Sequence, residues 1–330
     1  MRTMSMRIVV VASLNLALMG CGGGDDGGGG GEQIAPNLRL TRANAPEVAG
    51  TAADTTNAQA ALSGVGVAGG GTGNAVAADA GRAVALSVRA KALSHRSQTD
   101  SQPCARAGWF NSSATDADDN DVPSAGDTVS VTFVDCDDGE GDKLNGIMFM
   151  RFVALSGDLE DASGWSFTVD TTMTNLRVDT THEGAVEIAT LNGDMLITAS
   201  QPSISLSRGT ISGDNLRIED DGDASTLTGF NLTFEWDAST AAYRHFGEAT
   251  TTNAALGGTF KTEIPEATAF RGTGEKFPHA GQMKVTGLNS GMVVTAIDSM
   301  NVRVEIDSNG DSVVDSQHDV TWDSLDSVVL

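Results

Sequence analysis

From Cys104 onward, apolar and polar residues alternate along segments that are separated by Gly, Asn and Asp. Val129, Val131 and Phe133 follow this alternation, for example, and so do other segments that begin at Trp165, Val186, Ile204, Leu216, Leu232, Met283, Met292 and Val302. Successive side chains of a β-strand point to opposite faces, so a period of two predicts strands with one apolar face and one wet face. This alternation constrains the fold of the chain more than any other feature does.

The connections between these segments are too short for crossover helices, so we expect the strands to pair in an antiparallel sheet. Asn145-Gly146, Asn192-Gly193 and Asn309-Gly310 are dipeptides typical of two-residue hairpin turns, because both central residues of such a turn need positive φ. We therefore predict a mainly β fold, in which residues 103–330 form one large antiparallel meander. The meander is expected to be a curved sheet or a partial barrel.

Residues 35–102 differ in composition from the region that follows, because they are rich in Ala, Gly, Thr and Ser and include no aromatic residue. We predict short Ala-rich helices over Pro46–Leu62 and Ala75–Leu93, with a glycine-rich linker between them. Neither helix has enough bulk for a core of its own, so each must dock on another part of the chain or stay mobile. This segment is therefore expected to be partly helical or disordered.

The first 20 residues are typical of an export signal. Arg2 and Arg7 precede or flank an apolar run from Ile8 to Leu18, which is too short to span a bilayer but suits the core of a signal peptide. The run ends in Leu18-Met19-Gly20-Cys21, which resembles the cleavage and lipidation signal of bacterial lipoproteins. We interpret residues 1–20 as a lipoprotein signal peptide and Cys21 as the lipidated residue. The alternative is an ordinary secretory signal followed by an unrelated cysteine.

Residues 21–34 would then form a tether between the lipid and the body. Because Gly loses the most backbone entropy on ordering, we expect this segment to be flexible and to hold the body on the order of 18 Å from its anchor. In lipoproteins of this kind an Asp after the lipidated Cys tends to retain the protein at the inner membrane, and here that residue is Gly22. The sequence therefore favours the outer membrane, with the body in the periplasm or at the cell surface.

The charge balance excludes one class of partner. The chain has 44 Asp and Glu against 20 Lys and Arg, a formal net charge of −24, so a continuous basic surface for nucleic acid is not expected. The sequence has no run of about 20 apolar residues, so it predicts no membrane-spanning helix. The partner that we expect is membrane lipid, reached through the acyl chains on Cys21, and the sequence does not identify a protein partner.

Two cysteines remain once Cys21 is assigned to lipid. Cys104 and Cys136 do not form a Cys-x-x-Cys pattern, and an even pair in an exported chain is typical of a disulfide. The alternative is two unpaired buried thiols.

Two acidic loops are candidate calcium sites, because Ca²⁺ takes six to eight oxygen ligands that alternate residues of a tight loop can supply. The first loop offers Asp116, Asp118, Asn120 and Asp127, and the second offers Asp307, Asn309, Asp311 and Asp315. The second departs from a full EF-hand loop at Ser312 and His318. For each loop the alternative is a solvated acidic turn that binds no metal.

Several of these features together resemble a group of uncharacterised β-rich bacterial lipoproteins. The features are Asp116-x-Asp118-x-Asn120, Pro123-Ser124-x-Gly126-Asp127, the strand that ends in Cys136, Asn145-Gly146, the loop from Asp307 to Asp311, and Thr321-Trp322. The resemblance implies a lipid-anchored, exported, β-rich protein without an assigned activity, and it transfers no catalytic residue.

We expect a non-enzymatic protein of the cell envelope, with a structural or interaction role and with Ca²⁺ in its acidic loops. The five histidines (His95, His182, His245, His279 and His318) show no metal-binding spacing, and no Gly-x-Ser-x-Gly motif occurs. The alternative is a periplasmic module that binds lipid or another hydrophobic ligand on the concave face of the sheet. Met148, Phe149, Met150 and Phe152 are compatible with such a lining, and equally with an ordinary core.

Overall fold

The computed structural model describes residues 34–53, 98–120, 123–137, 142–158, 161, 163–182, 185–220, 223–274 and 277–326. Helix α1 comprises residues 45–53, a 3₁₀ turn comprises Glu266–Thr268, and helix α2 comprises Trp322–Asp326. The strands are β1 (Gln98–Pro103), β2 (Ala107–Thr115), β3 (Thr128–Asp137), β4 (Asp142–Ser156), β5 (Trp165–His182), β6 (Ala185–Gln201), β7 (Leu206–Asp220), β8 (Asp223–Asp237), β9 (Ala242–Asn253), β10 (Gly258–Ile264), β11 (Phe270–Thr273), β12 (Gln282–Gly287), β13 (Ser290–Ala296), β14 (Asn301–Asp307) and β15 (Ser316–Thr321).

All of these strands join one antiparallel sheet. Each strand pairs with its neighbour in sequence, except that β11 pairs with β9 and β10 pairs directly with β12. The predicted antiparallel meander is therefore confirmed. Within the described part of the chain the sheet does not close into a barrel, and β1 and β15 form its two edges.

The alternation in the sequence is reflected directly in burial. In β14, Val302, Val304 and Ile306 are buried while the residues between them are partly exposed, and the same pattern runs through β12 and β13. The buried residues of these three strands therefore lie on one face of the sheet, as a period of two requires.

Two of the three Asn-Gly pairs do not form hairpin turns, and that prediction was wrong. Asn145-Gly146 lies inside β4 and Asn192-Gly193 lies inside β6. The dipeptide indicates only that a residue has positive φ, and here the glycines adopt φ of 112° and 128° within the strands. Asn309-Gly310 does lie in a hairpin connection, but this connection runs over residues 308–315 instead of two residues.

The two pairs support β-bulges in neighbouring strands. The Asn145 side-chain oxygen accepts a hydrogen bond from the backbone N–H of Asp135 (2.8 Å), and Asn192 does the same for Asn175 (2.7 Å). Asp135 and Asn175 both have φ of 47°, and register shifts accompany them on successive strands. Because a bulge bends its strand and increases the local twist, a line of bulges gives the long central strands their curvature.

The buried apolar residues form two cores. The first core lies on the inner face of β3–β9 and includes Val131, Met173, Ile211, Leu227 and Phe230. The second core lies between β10–β15, α1 and α2 and includes Val48, Phe260, Met283, Ile306 and Trp322. Strand β9 is the boundary between them, because it pairs with β8 of the first core on one side and with β10 and β11 of the second core on the other.

Residues 34–53 cross one end of the sheet and then cover the second core. Leu38 accepts a hydrogen bond from the backbone N–H of Leu288 (2.7 Å), and Leu40 donates its N–H to the Ser290 hydroxyl (2.8 Å). Helix α1 then buries Ala45, Val48 and Ala49.

Helix α1 begins close to the start of the helix predicted over Pro46–Leu62, and β1 begins at Gln98, before the expected start of the β region at residue 103. Residues 54–62, the predicted helix Ala75–Leu93, the signal peptide (1–20), Cys21 and residues 22–33 lie outside the described residues. Of the helices that are described, none combines the length and apolar character needed to cross a bilayer.

Candidate functional site

The first acidic loop connects β2 to β3 and brings three carboxylates together. Asp116, Asp118 and Asp127 each place one oxygen within 4.8 Å of the others, although they are up to eleven positions apart in the sequence. Asn120, the fourth predicted ligand, donates a hydrogen bond from its side-chain amide to Asp118 (2.8 Å). Three of the four predicted ligands are thus close enough to share one cation.

Asp127 has a structural task inside this loop. Its side chain is buried, with 2% of the residue exposed, and its oxygens accept hydrogen bonds from the backbone N–H groups of Ala117 (2.8 Å) and Ser124 (2.7 Å). A carboxylate bound by two backbone amides ties together the two ends of the loop. The backbone of this region is fixed to β4, since Phe152 donates its N–H to the Asp127 carbonyl (2.9 Å).

We expect Asp127→Ala to lower the free energy of unfolding by about 1–3 kcal/mol, because two partly buried backbone N–H groups lose their charged acceptor. The matched control is Asp118→Ala, which removes an exposed carboxylate of the same cluster and should cost less than about 0.5 kcal/mol. Urea denaturation of both variants in the presence of EDTA measures the difference. Equal effects of the two substitutions would contradict a structural task for Asp127.

The second acidic loop, residues 308–315, uses its carboxylates differently. The Asp307 side chain accepts hydrogen bonds from the backbone N–H groups of Gly310 (2.6 Å) and Ser312 (2.7 Å), and Asp315 accepts one from Ser308 (2.8 Å). Desolvation opposes ionisation of Asp307, but the backbone N–H groups hold the pKa of this carboxyl below its ordinary value. The loop is therefore held by its own side chains.

The four predicted ligands of the second loop do not form a cluster of carboxylates. Asn309 accepts the N–H of Asp311 (2.8 Å), and Asp311 accepts that of Val313 (2.8 Å). Within the described part of the chain, a group of three mutually close carboxylates occurs only in the first loop. Ordinary Asx-type turns account for the sequence pattern of the second loop.

Cys104 and Cys136 lie at disulfide distance, as predicted, with their Cα atoms 5.4 Å apart. The bridge joins the connection that follows β1 to the buried part of β3, and it encloses the first acidic loop. It therefore fixes the edge hairpin β1–β2 to the interior of the sheet.

The residues suggested as a ligand lining do not share one surface. Met150 and Phe152 are buried in the first core and Met148 packs against it, whereas Phe149 points to the outer face and is exposed. This follows from the alternation of side chains along β4.

The spacing of histidines in the sequence did not single out His245, which is buried beside Phe270 of the second core. His245 lies in β9 between the rings of Tyr243, parallel to it at 6.4 Å, and Phe270, at 5.3 Å. Burial lowers the pKa of His245 from 6.5 to about 4. Its position two residues after Tyr243, on the same face of the strand, was the available signal in the sequence.

The buried His245 makes stability depend on pH. The folded protein keeps this ring neutral, whereas the unfolded chain binds a proton below about pH 6.5. The contribution of His245 to the free energy of unfolding is therefore fully present above that pH and is lost as the pH falls toward 4. We expect a loss of about 2 kcal/mol between pH 7.5 and pH 5, measured by urea denaturation. His245→Phe, which keeps an aromatic ring in the stack, should flatten this dependence. An unchanged slope in His245→Phe would assign the pH dependence to other groups.

Comparison with family models, with curated proteins and with solved structures returns no significant match to this chain. The resemblance to uncharacterised lipoproteins, which rests on short motifs, stays a prediction.

Proposed function

We propose that this chain is a non-enzymatic, lipid-anchored protein of the bacterial outer membrane with a structural or interaction role. The proposal is supported by the signal-like first 20 residues, by Cys21 at their end and by the acidic composition. A cysteine pair at disulfide distance also fits an exported protein, because disulfides persist in oxidising compartments.

The observation that carries the interaction role is the packing of the inner faces. The apolar residues of both cores pack against one another, and large side chains among them such as Phe230, Phe260 and Met283 are buried. A carrier of hydrophobic ligands needs an open apolar cavity of several hundred Å³. In the described part of the chain, Arg39, Leu288, Asn289, Asn309 and Gly310 line a depression that opens at the surface. We therefore place the function on the outer surface and its loops.

Within this proposal, the first acidic loop is where a divalent cation would bind. The cluster of Asp116, Asp118 and Asp127 has the ligand type that Ca²⁺ prefers. Bound Ca²⁺ would neutralise repulsion among these carboxylates and stabilise the edge of the sheet.

A thermal melt in EDTA, Ca²⁺ and Mg²⁺ tests the cation site. At a Ca²⁺ concentration about 100-fold above Kd, the folded state should gain about 2.7 kcal/mol. Asp116→Asn combined with Asp118→Asn should abolish the gain, whereas Asp311→Asn combined with Asp315→Asn in the second loop should leave it intact. The same melting temperature in all three solutions would refute the cation site.

The anchor is tested separately by expressing the full chain in a bacterial host. We expect the protein to fractionate with membranes and to carry the mass of acyl chains on Cys21, and we expect Cys21→Ser to remove both properties. A wild-type protein that is cleaved but carries no lipid would refute the anchor and would leave an ordinary secreted protein.

A further inference from the structure

Three connections of the sheet lie at the end where residues 34–40 cross it. They are residues 254–257, 288–289 and 308–315, and the antiparallel registers Gly258↔Asn253, Gly287↔Ser290 and Gly291↔Asp307 place them side by side. The backbone N–H groups of Asn37 and Leu38 both donate to the Thr259 carbonyl, each at 3.0 Å. We call these three connections, together with residues 34–39, the entry end.

The entry end exposes a group of aliphatic side chains. Leu288 is 46% exposed, Val313 is 62% exposed and Val314 is 51% exposed. Leu288 lines one depression together with Asn309 and Gly310, so the turn after β12 and the loop after β14 are neighbours. Ile34, the first described residue, is also exposed. These exposed aliphatic side chains therefore lie on neighbouring connections at the same end of the sheet.

The structure holds these tips in place. The Arg39 guanidinium donates two hydrogen bonds to the Ser308 carbonyl (3.1 and 3.0 Å), which joins the entering chain to the β14–β15 loop. Asp307 and Asp315 fix the loop from within. A surface whose loops are already ordered loses little conformational entropy when it binds.

We propose that the entry end docks on a lipid surface, with Leu288, Val313 and Val314 at the boundary between headgroups and acyl chains. This inference rests on the proposed lipidation of Cys21. Ile34 follows Cys21 by 13 positions, so the intervening chain spans at most about 45 Å. The anchor therefore brings the entry end close to the bilayer, where aliphatic loop tips gain free energy by leaving water.

The charge of the same loop indicates which lipid surface is favoured. Asp307, Asp311 and Asp315 lie beside the apolar tips, so anionic headgroups should repel this end and zwitterionic headgroups should accept it. We therefore expect binding to phosphatidylethanolamine–phosphatidylcholine vesicles to weaken as phosphatidylglycerol is added.

The test measures vesicle binding without the lipid anchor, so that it does not depend on lipidation. The protein is the mature chain from residue 21 with Cys21→Ser, sedimented with phosphatidylethanolamine–phosphatidylcholine vesicles. Replacing Leu288, Val313 and Val314 by Ser should lower the partition coefficient by about tenfold or more. The matched control replaces Ile297 and Met300 by Ser, because these are 44% and 69% exposed in the β13–β14 connection at the opposite end. Binding by the control should stay within about twofold of its parent.

A second measurement distinguishes loss of the docking surface from unfolding of the triple variant. Val313→Trp should gain fluorescence quenching by brominated lipid over the parent, and Met300→Trp should not. Failure of the parent to bind vesicles, equal losses in both Ser variants, or equal quenching at both positions would overturn the docking proposal. The mass of the protein with Cys21 intact reports on the anchor alone, so failure of the docking surface and failure of the anchor are distinguishable.

Discussion

Replacing Gly193 by Ala is expected to destabilise the protein by about 4 kcal/mol or more. Gly193 lies in the middle of β6 with φ of 128°, and an added Cβ would meet the backbone oxygen of Asn215 on β7 at 2.1 Å. Neither atom can move without disturbing the ladder between two central strands. The substitution therefore combines an unfavourable backbone conformation with a clash against main chain, and urea denaturation should show the loss as a lower midpoint.

Gly291→Ala is the matched control for this prediction. Gly291 also lies in a strand, β13, but an added Cβ there has no heavy atom within 4 Å. The control should change stability by less than about 1 kcal/mol, and the change should be favourable if the lower conformational entropy of the unfolded Ala variant dominates. Equal losses for both substitutions would mean that a glycine in β6 opposite the bulges of β5 and β7 is not a requirement of the fold.

The sequence was sufficient to predict the architecture, because the period-two alternation is a local signal that survives folding unchanged. Val302, Val304 and Ile306 are apolar in alternation and are buried in alternation. Short connections then leave antiparallel pairing as the simple solution. The bulges could not be found in the same way. Asn-Gly reports a backbone conformation, and the choice between a turn and a bulge depends on the strand that pairs with it.

A repeated pattern in the sequence does mark the bulges. Leu144-Asn145-Gly146 in β4 corresponds to Leu191-Asn192-Gly193 in β6, and Asn175-Leu176-Arg177 in β5 corresponds to Asn215-Leu216-Arg217 in β7. In both cases the glycine of the first strand approaches the backbone oxygen of the asparagine in the next strand, at 2.1 Å from its would-be Cβ. The repeat distinguishes these glycines from glycines of hairpin turns.

The two acidic loops show how much of a candidate metal site the spacing of oxygen side chains can predict. Both loops place oxygen side chains at alternate positions, yet only the first brings three carboxylates within 4.8 Å of one another. The difference arises from Asp127, which is distant in sequence and is drawn in by backbone N–H groups of Ala117 and Ser124. Spacing within a loop cannot reveal which oxygens are already used by the main chain.

The second large effect is expected from removing the Cys104–Cys136 bridge. In the chain-entropy model, closing a loop between residues 32 positions apart stabilises the folded state by about 3–4 kcal/mol. Cys104→Ala combined with Cys136→Ala should lose this amount in urea denaturation, and the double variant should no longer respond to a reducing agent. The reduced wild-type protein is the matched control, since it loses the same cross-link without a change of side chain.

The loss should also be uneven across the sheet. Strand β1 is an edge strand whose described ladder partner is β2, and the bridge is the covalent link from this hairpin to β3. Edge elements open before buried ones when their constraints are removed. Amide hydrogen exchange in β1 and β2 should therefore accelerate more than exchange in β12–β14, which belong to the second core. Uniform acceleration would show that the bridge acts only by limiting the unfolded chain, whereas unchanged exchange and stability would show that the edge hairpin is held by its ladder alone.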